Sequence, residues 1–158
     1  MKKALFVLTL VFLLCLGSAC RDKAVMAEPE RAEIVKAIEA GADDIASAIS
    51  RLDAEEVTNL FSKIDGTKYI SDGAYIPRDD LRKTFRNFYG ALREMKFAFE
   101  KKEVLVLNQD VAVLTGWAHY TAVTKENQII DERALFTSAY IRANGKWSIL
   151  QSHKSLIN

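Results

Sequence analysis

The side chains that could do acid–base chemistry in this 158-residue chain centre on two histidines. His153 follows Gln151 near the carboxyl end, and His119 follows Trp117 in the run Thr-Gly-Trp-Ala-His-Tyr. An imidazole changes its protonation state near neutral pH, so either histidine could hydrogen-bond a ligand or move a proton. His153 could equally be a structural histidine that is bonded to a neighbouring strand or helix end.

The residue patterns that several other chemistries require are absent from the sequence. Neither histidine has a matching pair of carboxylates, so no metal site is expected. The chain has no glycine-rich phosphate loop and no nucleophile elbow, and no cofactor is expected. Its formal charge is +1, and without a basic stripe it has no electrostatic reason to bind nucleic acid.

Four predicted strands between Met95 and His153 must position the histidines. They are separated by short polar breaks at 108–110, 125–127 and 144–145. The last break is Asn144-Gly145, which is typical of a two-residue hairpin loop. The last two strands can therefore be aligned by counting back from this turn.

The alignment predicts which side chains share one face of the sheet. Side chains alternate across a strand, so every second pair points the same way. The predicted pairs on this face are Arg142 with Trp147, Tyr140 with Ile149, Ser138 with Gln151, and Phe136 with His153. Because Trp147 and Ile149 are apolar, we expect this face to turn toward the helices and Gln151 and His153 to point inward.

The strand that carries Trp117 and His119 cannot be oriented in this way, because the break at 125–127 can close in two registers. If both side chains point inward, Trp117 is a cavity wall and His119 is a second site candidate. If they point outward, Trp117 marks a dimer contact, since aromatic residues are enriched at interfaces.

Helices are predicted before the sheet. Apolar residues at spacings of three and four indicate one long helix from Glu30 to Leu52. Asp53, with Glu56 three residues later, forms a capping-box pattern that begins a second helix. The Asp65-Gly66 pair is expected to end it, because glycine commonly terminates helices.

A short hairpin and a third helix complete the amino-terminal half. The segment 67–76 turns at Asp72-Gly73, a hairpin signal, and Pro77 suits the first position of the helix that follows. Aromatic residues on one stripe of that helix are expected in the core, with some of their edges lining a cavity. The cavity-lining residues expected from these two elements are Tyr69, Phe85 and Phe88.

The amino terminus has the features of an export signal. Lys2 and Lys3 precede an apolar run that is too short to span a membrane. The ending Leu-Gly-Ser-Ala-Cys resembles the lipobox of bacterial lipoproteins, although Leu16 lies one position earlier than usual. That resemblance implies a lipid on Cys20, the only thiol left after Cys15 is removed with the signal.

We therefore expect a signal peptide over residues 1–19, and a lipidated Cys20 with a flexible tether over residues 20–30. The expected location is the bacterial cell membrane, on the periplasmic face of the inner or outer membrane if the cell is Gram-negative. The alternative is an ordinary signal peptide that is cleaved near Ala19 and leaves Cys20 as a free thiol.

The order of these elements and several short motifs give residues 31–156 a family resemblance. The motifs are Asp72-Gly73, Thr115-Gly116-Trp117, and Gly145-Lys146-Trp147-Ser148-Ile149 with Gln151-Ser152-His153-Lys154-Ser155 after it. The domain resembles the SnoaL-like family of the nuclear transport factor 2-like superfamily. The resemblance implies an α+β, cystatin-like, cone-shaped roll, with three amino-terminal helices packed on a curved, mainly antiparallel sheet. It also implies a cavity open at one end and homodimers through the outer sheet face.

The resemblance leaves the function open, because this fold carries enzymes and binding modules alike. The stretch Lys68–Ser71 lacks the carboxylate base that ketosteroid isomerase places there. We expect the cavity to bind a small apolar or amphipathic molecule. The alternatives are an isomerase, lyase or hydrolase that uses His153 with Tyr140 or Tyr69, and a dimeric protein-interaction module.

Overall fold

The structure is a computed structural model that describes residues 26–157. The predicted signal peptide, Cys20 and residues 21–25 of the predicted tether lie outside the described residues. The helices are α1 (Glu28–Ser50), α2 (Ala54–Asn59) and α3 (Arg78–Gly90). The strands are β1 (Lys68–Ser71), β2 (Ala74–Pro77), β3 (Leu92–Asn108), β4 (Val111–Thr124), β5 (Ile129–Ala143) and β6 (Lys146–Ile157). None of the described helices is both long enough and apolar enough to cross a membrane.

The six described strands form one curved sheet in the order β2-β1-β6-β5-β4-β3. Strand β1 runs parallel to β6, and every other neighbouring pair is antiparallel. The helices pack on one face of this sheet, with Ile34, Ile38 and Ala42 of α1 buried. The predicted α+β architecture is therefore confirmed.

Both short turns adopt the predicted hairpin geometry. Asp72 and Gly73 have φ values of 50° and 85°, and Asn144 and Gly145 have 52° and 76°. A two-residue loop with positive φ at both positions matches the right-handed twist of the strands on either side. These two turns fix the ends of β1 and β6.

Strand β3 bends where its hydrophobic pattern predicts. The sequence places Phe97 and Phe99 in one parity and Val104 and Val106 in the other. The pairing with β4 shifts by one residue between Phe99 and Lys101. This bulge brings Val104 and Val106 to the same inner face as the two phenylalanines.

Helix α2 begins at the predicted cap but ends early. The Asp53 carboxylate accepts a 2.9 Å hydrogen bond from the backbone N–H of Glu56. The prediction that this helix continues to Asp65-Gly66 is wrong, because the backbone after Asn59 pairs with β6 instead. The Ile149 N–H donates to the Leu60 carbonyl at 2.9 Å, and the Ser62 N–H donates to the Ile149 carbonyl at 2.8 Å.

The predicted register of β5 and β6 is correct up to Ile149 and wrong beyond it. Arg142 lies opposite Trp147 and Tyr140 opposite Ile149, but Leu150 is an extra residue with no partner. Such a bulge places two residues of one strand against one of the other, so every later side chain changes face. Ser138 is consequently paired with Ser152, and Phe136 with Lys154.

Candidate cavity site

A cavity of about 250 Å³ lies between the helices, the β1–β2 hairpin and the inner face of the sheet. Most of its wall is apolar, and aromatic rings predominate. The lining residues are Ile45, Ile49, Val57, Phe61, Tyr69, Ser71, Ile76, Thr84, Phe85, Phe88, Tyr89, Met95, Phe97, Phe99, Leu114, Tyr120, Phe136, Ser138, Tyr140, Ile149, Ser152 and Lys154. Phe88, with 44% of its surface exposed, lies where the cavity meets solvent.

The structure brings together most of the residues that the sequence assigned to a pocket. Those found in the wall are Tyr69, Phe85, Phe88, Phe136, Ser138, Tyr140 and Ile149. Tyr69 comes from β1 and Phe85 from α3, whereas Tyr140 comes from β5. Three separate elements therefore meet around one space.

Gln151 and His153 do not line the cavity, which corrects the sequence prediction. The Leu150 bulge turns both to the outer face, where Gln151 pairs with Ala139 and His153 with Thr137. His153 is exposed, and its Nε2 lies 3.5 Å from the Ser155 hydroxyl. An enzyme that uses His153 within the cavity is therefore not supported.

Trp147 has the predicted orientation but lies beyond the cavity. Its ring packs against the hydrophobic core near the Asn144-Gly145 turn. The Arg142 guanidinium lies 5.5 Å from the ring centroid, within the range of a cation–π contact. Trp147 therefore packs near the start of β6 and is not part of the cavity wall.

Trp117 and His119 lie on the outer face of β4, which resolves the orientation that the sequence left open. Trp117 pairs with Leu135, and the Lys101 ammonium lies 4.8 Å from its ring centroid. The His119 Nε2 lies 2.6 Å from a carboxylate oxygen of Asp131. Neither side chain reaches the cavity.

Two groups of aromatic rings contribute to the cavity wall. On the sheet, the Phe97 ring lies 5.3 Å from Phe99 and 5.6 Å from Phe136, both nearly perpendicular. In the second group, formed by α3 and β1, the Phe85 ring lies 5.7 Å from Tyr69 and 5.8 Å from Tyr89. Rings at these distances and angles make favourable aromatic contacts, which stabilise the wall.

The tyrosine hydroxyls of the cavity act as hydrogen-bonding groups at neutral pH and do not ionise. Burial raises the pKa of Tyr69 to about 12. It also raises the pKa of Tyr89, Tyr120 and Tyr140. The Tyr120 hydroxyl donates to the Glu132 carboxylate, which raises that pKa further.

Two polar pairs interrupt the apolar wall. The hydroxyls of Ser138 and Ser152 are 2.8 Å apart, and both residues are buried. The Lys154 ammonium lies 2.9 Å from a carboxylate oxygen of Asp72. That ion pair and the nearby Ser71 hydroxyl lower the pKa of Asp72, so its carboxylate stays ionised.

Sequence reasoning missed the cavity residues of β4 and the second half of β6. On β4 the inner residues include Ala112, Gly116, Ala118 and Ala122, which are small enough for a helix and aromatic rings to pack closely. That run of small residues at one parity was the available signal for placing Tyr120 inside. No comparable signal marks the β6 bulge, because residues 148–152 contain neither glycine nor proline.

Within residues 26–157, no three His, Cys, Asp or Glu side chains come together as a metal site. The chemistry available in the cavity is therefore that of phenols, hydroxyls and one ammonium set in an apolar wall. Such an arrangement can orient a ligand that has one polar end.

Solved structures with similar folds come from several bacteria. A hexachlorocyclohexane dehydrochlorinase from Novosphingobium barchaimii is 15% identical, with a TM-score of 0.72 over 84% of this chain and 92% of that one. A putative scytalone dehydratase from Novosphingobium aromaticivorans is 12% identical, with a TM-score of 0.73 over 84% and 89%. A nuclear transport factor 2-like protein from Salmonella enterica is 18% identical, with a TM-score of 0.72 over 81% and 94%. At these identities the likeness establishes the fold alone.

Sequence comparison gives the family. No curated protein sequence matches the chain significantly. Residues 38–158, however, match the SnoaL-like domain, which covers α1 from its middle, the hairpin, α3 and all four long strands. This chain therefore belongs to the SnoaL-like domain family.

Proposed function

We propose that this protein is an exported, lipid-anchored SnoaL-like domain that binds a small apolar or amphipathic molecule in its cavity. The observation that carries the proposal is an apolar space of about 250 Å³ enclosed by aromatic rings. Protein interiors are close-packed, and an empty apolar cavity lowers stability in proportion to its volume. A ligand that fills the space would recover those lost contacts.

The composition of the wall supports a small-molecule site. Ligand cavities are concave and mainly apolar, with a few polar groups that orient the ligand. Here Ser138 and Ser152 form one such polar group, and Lys154 forms another. The volume is below the range of about 300 to 1,000 Å³ that is typical for drug-sized ligands, so we expect a ligand of one or two rings.

Native mass spectrometry of the purified protein tests the proposal directly. We expect an added mass that disappears on denaturation. Thr84→Trp should abolish this mass, because Thr84 lines the cavity and an indole there would fill it. Lys83→Trp is the matched control. The Lys83 side chain is next to Thr84 in the sequence but is exposed, so this substitution should leave binding intact.

Filling the cavity with a tryptophan side chain should also prevent small apolar molecules from raising the melting temperature. Naphthalene-sized compounds should raise the melting temperature of the wild type and of Lys83→Trp, but not that of Thr84→Trp. If no compound raises it in any of the three proteins and no mass is carried through purification, the binding proposal is wrong.

The membrane anchor is proposed from the sequence. Lys2, Lys3 and the apolar run before Cys20 favour export, and the lipobox-like ending favours acylation of the Cys20 thiol. Cys20→Ser should abolish the lipid mass on the amino-terminal peptide and release the protein from the membrane fraction. Cys15→Ser is the control, since Cys15 lies within the proposed signal and its loss should leave acylation unchanged.

We propose as a second candidate that two copies associate through the outer face of the sheet. Two rows of apolar residues lie on that face, Leu105 with Val113 and Ala139 in one and Trp117 with Leu135 in the other, separated by Thr115 and Thr137. Leu105 alone is 58% exposed. Exposed apolar side chains and an aromatic ring on one sheet face favour an interface between protein chains.

Light scattering tests the second candidate. We expect the wild type to be a dimer and Trp117→Lys to be a monomer, because the ring contact is lost and the added charge would be desolvated on association. Ile64→Lys is the control, since Ile64 is 42% exposed in the segment between α2 and β1, outside the sheet. A wild type that is monomeric at all concentrations would refute the candidate.

A further inference from the structure

The polar end of the cavity is organised around Lys154. It is the one charged residue among the described residues that line the cavity, and its side chain is only 16% exposed. The Leu150 bulge turns it inward from β6, opposite Phe136 of β5. A charge placed in an apolar wall is retained only where it has partners.

The partners of Lys154 come from the β1–β2 hairpin. The Lys154 Nζ lies 2.9 Å from Oδ2 of Asp72, and the Ser71 hydroxyl donates to the same oxygen at 2.8 Å. The ammonium also lies 5.9 Å from the ring centroid of Tyr120. An ammonium has three N–H donors, so the bond to Asp72 leaves donors that can face the cavity.

The balance of charge around Lys154 determines which ligand group it can accept. Asp72 already neutralises the ammonium, and Glu132 accepts a hydrogen bond from the Tyr120 hydroxyl nearby. Asp72 therefore supplies one carboxylate at the ammonium, and Glu132 supplies a second negative charge beside Tyr120. A ligand carboxylate or phosphate would bring a further negative charge close to Asp72, whereas an uncharged oxygen acceptor would not.

We propose that Lys154 binds the carbonyl oxygen of an uncharged ring compound whose apolar body lies among the aromatic side chains. This inference rests on the proposed function, and it adds the polarity of the ligand and the group that recognises it. The rings of Phe97, Phe136 and Phe85 would contact the body of the ligand. Lys154 would fix its orientation with one charge-assisted hydrogen bond.

Three probes of nearly equal shape test the proposal by titration calorimetry. They are 2-acetylnaphthalene, which has a carbonyl, 2-isopropenylnaphthalene, which replaces that oxygen with a methylene, and 2-naphthoate, which is an anion. We expect the ketone to bind about 5- to 10-fold more tightly than the alkene, because it gains one hydrogen bond. We expect 2-naphthoate to bind more weakly than the ketone.

Variants of the hairpin and of β6 identify the recognising group. Lys154→Met should bring the ketone and the alkene to equal affinity, because the thioether has no N–H to donate to the ketone oxygen. Lys96→Met removes an exposed lysine from β3 and is the matched control, which should keep the preference for the ketone. Asp72→Asn should tighten binding of 2-naphthoate, because the ammonium is then no longer neutralised.

The outcomes separate this inference from the proposed function. If the ketone and the alkene bind the wild type equally, or if the preference survives in Lys154→Met, the inference is wrong and the binding cavity stands. Tighter binding of 2-naphthoate than of the ketone to the wild type would also overturn it. If none of the three probes binds, the proposed function fails, and the inference fails with it.

Discussion

The hydroxyl oxygens of Ser138 and Ser152 face each other across β5 and β6 at 2.8 Å, inside the wall of the cavity. They meet because Leu150 has no partner in β5, which shifts the later residues of β6 by one position. In an unbulged pairing Ser138 would face Gln151 instead. The contact is therefore a direct product of the bulge.

Removing one of these hydroxyls should destabilise the protein more than the loss of a single oxygen atom would suggest. Ser138→Ala leaves the buried Ser152 hydroxyl without its partner, which should lower the free energy of unfolding by about 1–2 kcal/mol. Ser152→Ala should do the same for Ser138. The double variant should lose less than the sum of the two, as measured by urea denaturation. Strictly additive losses would show that the two hydroxyls do not interact.

Gly116 should not tolerate a side chain. A methyl group at this position would lie 2.5 Å from Cε1 and 2.7 Å from Cδ1 of Phe99. Gly116→Ala should therefore force the Phe99 ring to move and lower the free energy of unfolding by about 1–3 kcal/mol. Thermal and chemical denaturation measure the loss.

The matched control for Gly116 is Gly90, at the end of α3. A methyl group there meets no atom within 4 Å. Gly90→Ala should leave stability unchanged or raise it by up to about 1 kcal/mol, because alanine loses less entropy on folding. Equal losses at both positions would contradict the close approach of Phe99 to β4.

The Asp53 cap should contribute measurably to the short helix α2. Asp53→Ala removes the acceptor of the 2.9 Å bond from the Glu56 N–H and should cost about 1 kcal/mol of unfolding free energy. Asp53→Asn keeps an acceptor oxygen and should retain most of the stability. If the alanine and asparagine variants are equally stable, the hydrogen bond contributes little.

The ion pair between Asp72 and Lys154 should make stability depend on pH in the acid range. The Lys154 ammonium, followed by the Ser71 hydroxyl, holds the pKa of the Asp72 carboxyl below its ordinary value. The ionised form is therefore favoured in the folded protein. Its contribution is fully present above about pH 4, where an unfolded aspartate is ionised, and is lost as the pH falls through the folded pKa.

Lys154→Met tests this dependence. The Asp72 pKa, followed by carboxyl NMR chemical shifts, should rise in the variant because its main partner is gone. The stability difference between wild type and variant should shrink as the solution is acidified below about pH 4. A difference that stays constant down to the acid transition would assign the effect of Lys154 to packing rather than to charge.

The fold was largely predictable because its main elements depend on short-range signals. The helix from Glu30 to Leu52 shows a 3.6-residue period, and the Asp53 cap is read from two residues three apart. The turns at Asp72-Gly73 and Asn144-Gly145 need positive φ values that asparagine, aspartate and glycine tolerate. The early end of α2 was not predictable, since it depends on hydrogen bonds to Ile149, which is far away in the chain.

On β6, the cavity residues were predictable only where a register could be counted from a known turn. Tyr140 and Ile149 are close to the Asn144-Gly145 loop, and their pairing was correct. Beyond Leu150 the sequence of β6 does not indicate which side chains point inward, because Gln151, Ser152, His153 and Lys154 are all polar. The choice is made by contacts in three dimensions, including the pairing of Ser71 with Lys154.

The unpaired Leu150 exchanges the inward and outward faces of all the residues that follow it in β6. Residues 151–154 hold two different sets of polar groups, Gln151 with His153 and Ser152 with Lys154, and one displaced residue decides which set the cavity receives. An imidazole and an ammonium differ in their proton chemistry at neutral pH. Moving the bulge, without changing a single side chain of these four, would thus be enough to give this cavity a different chemical character.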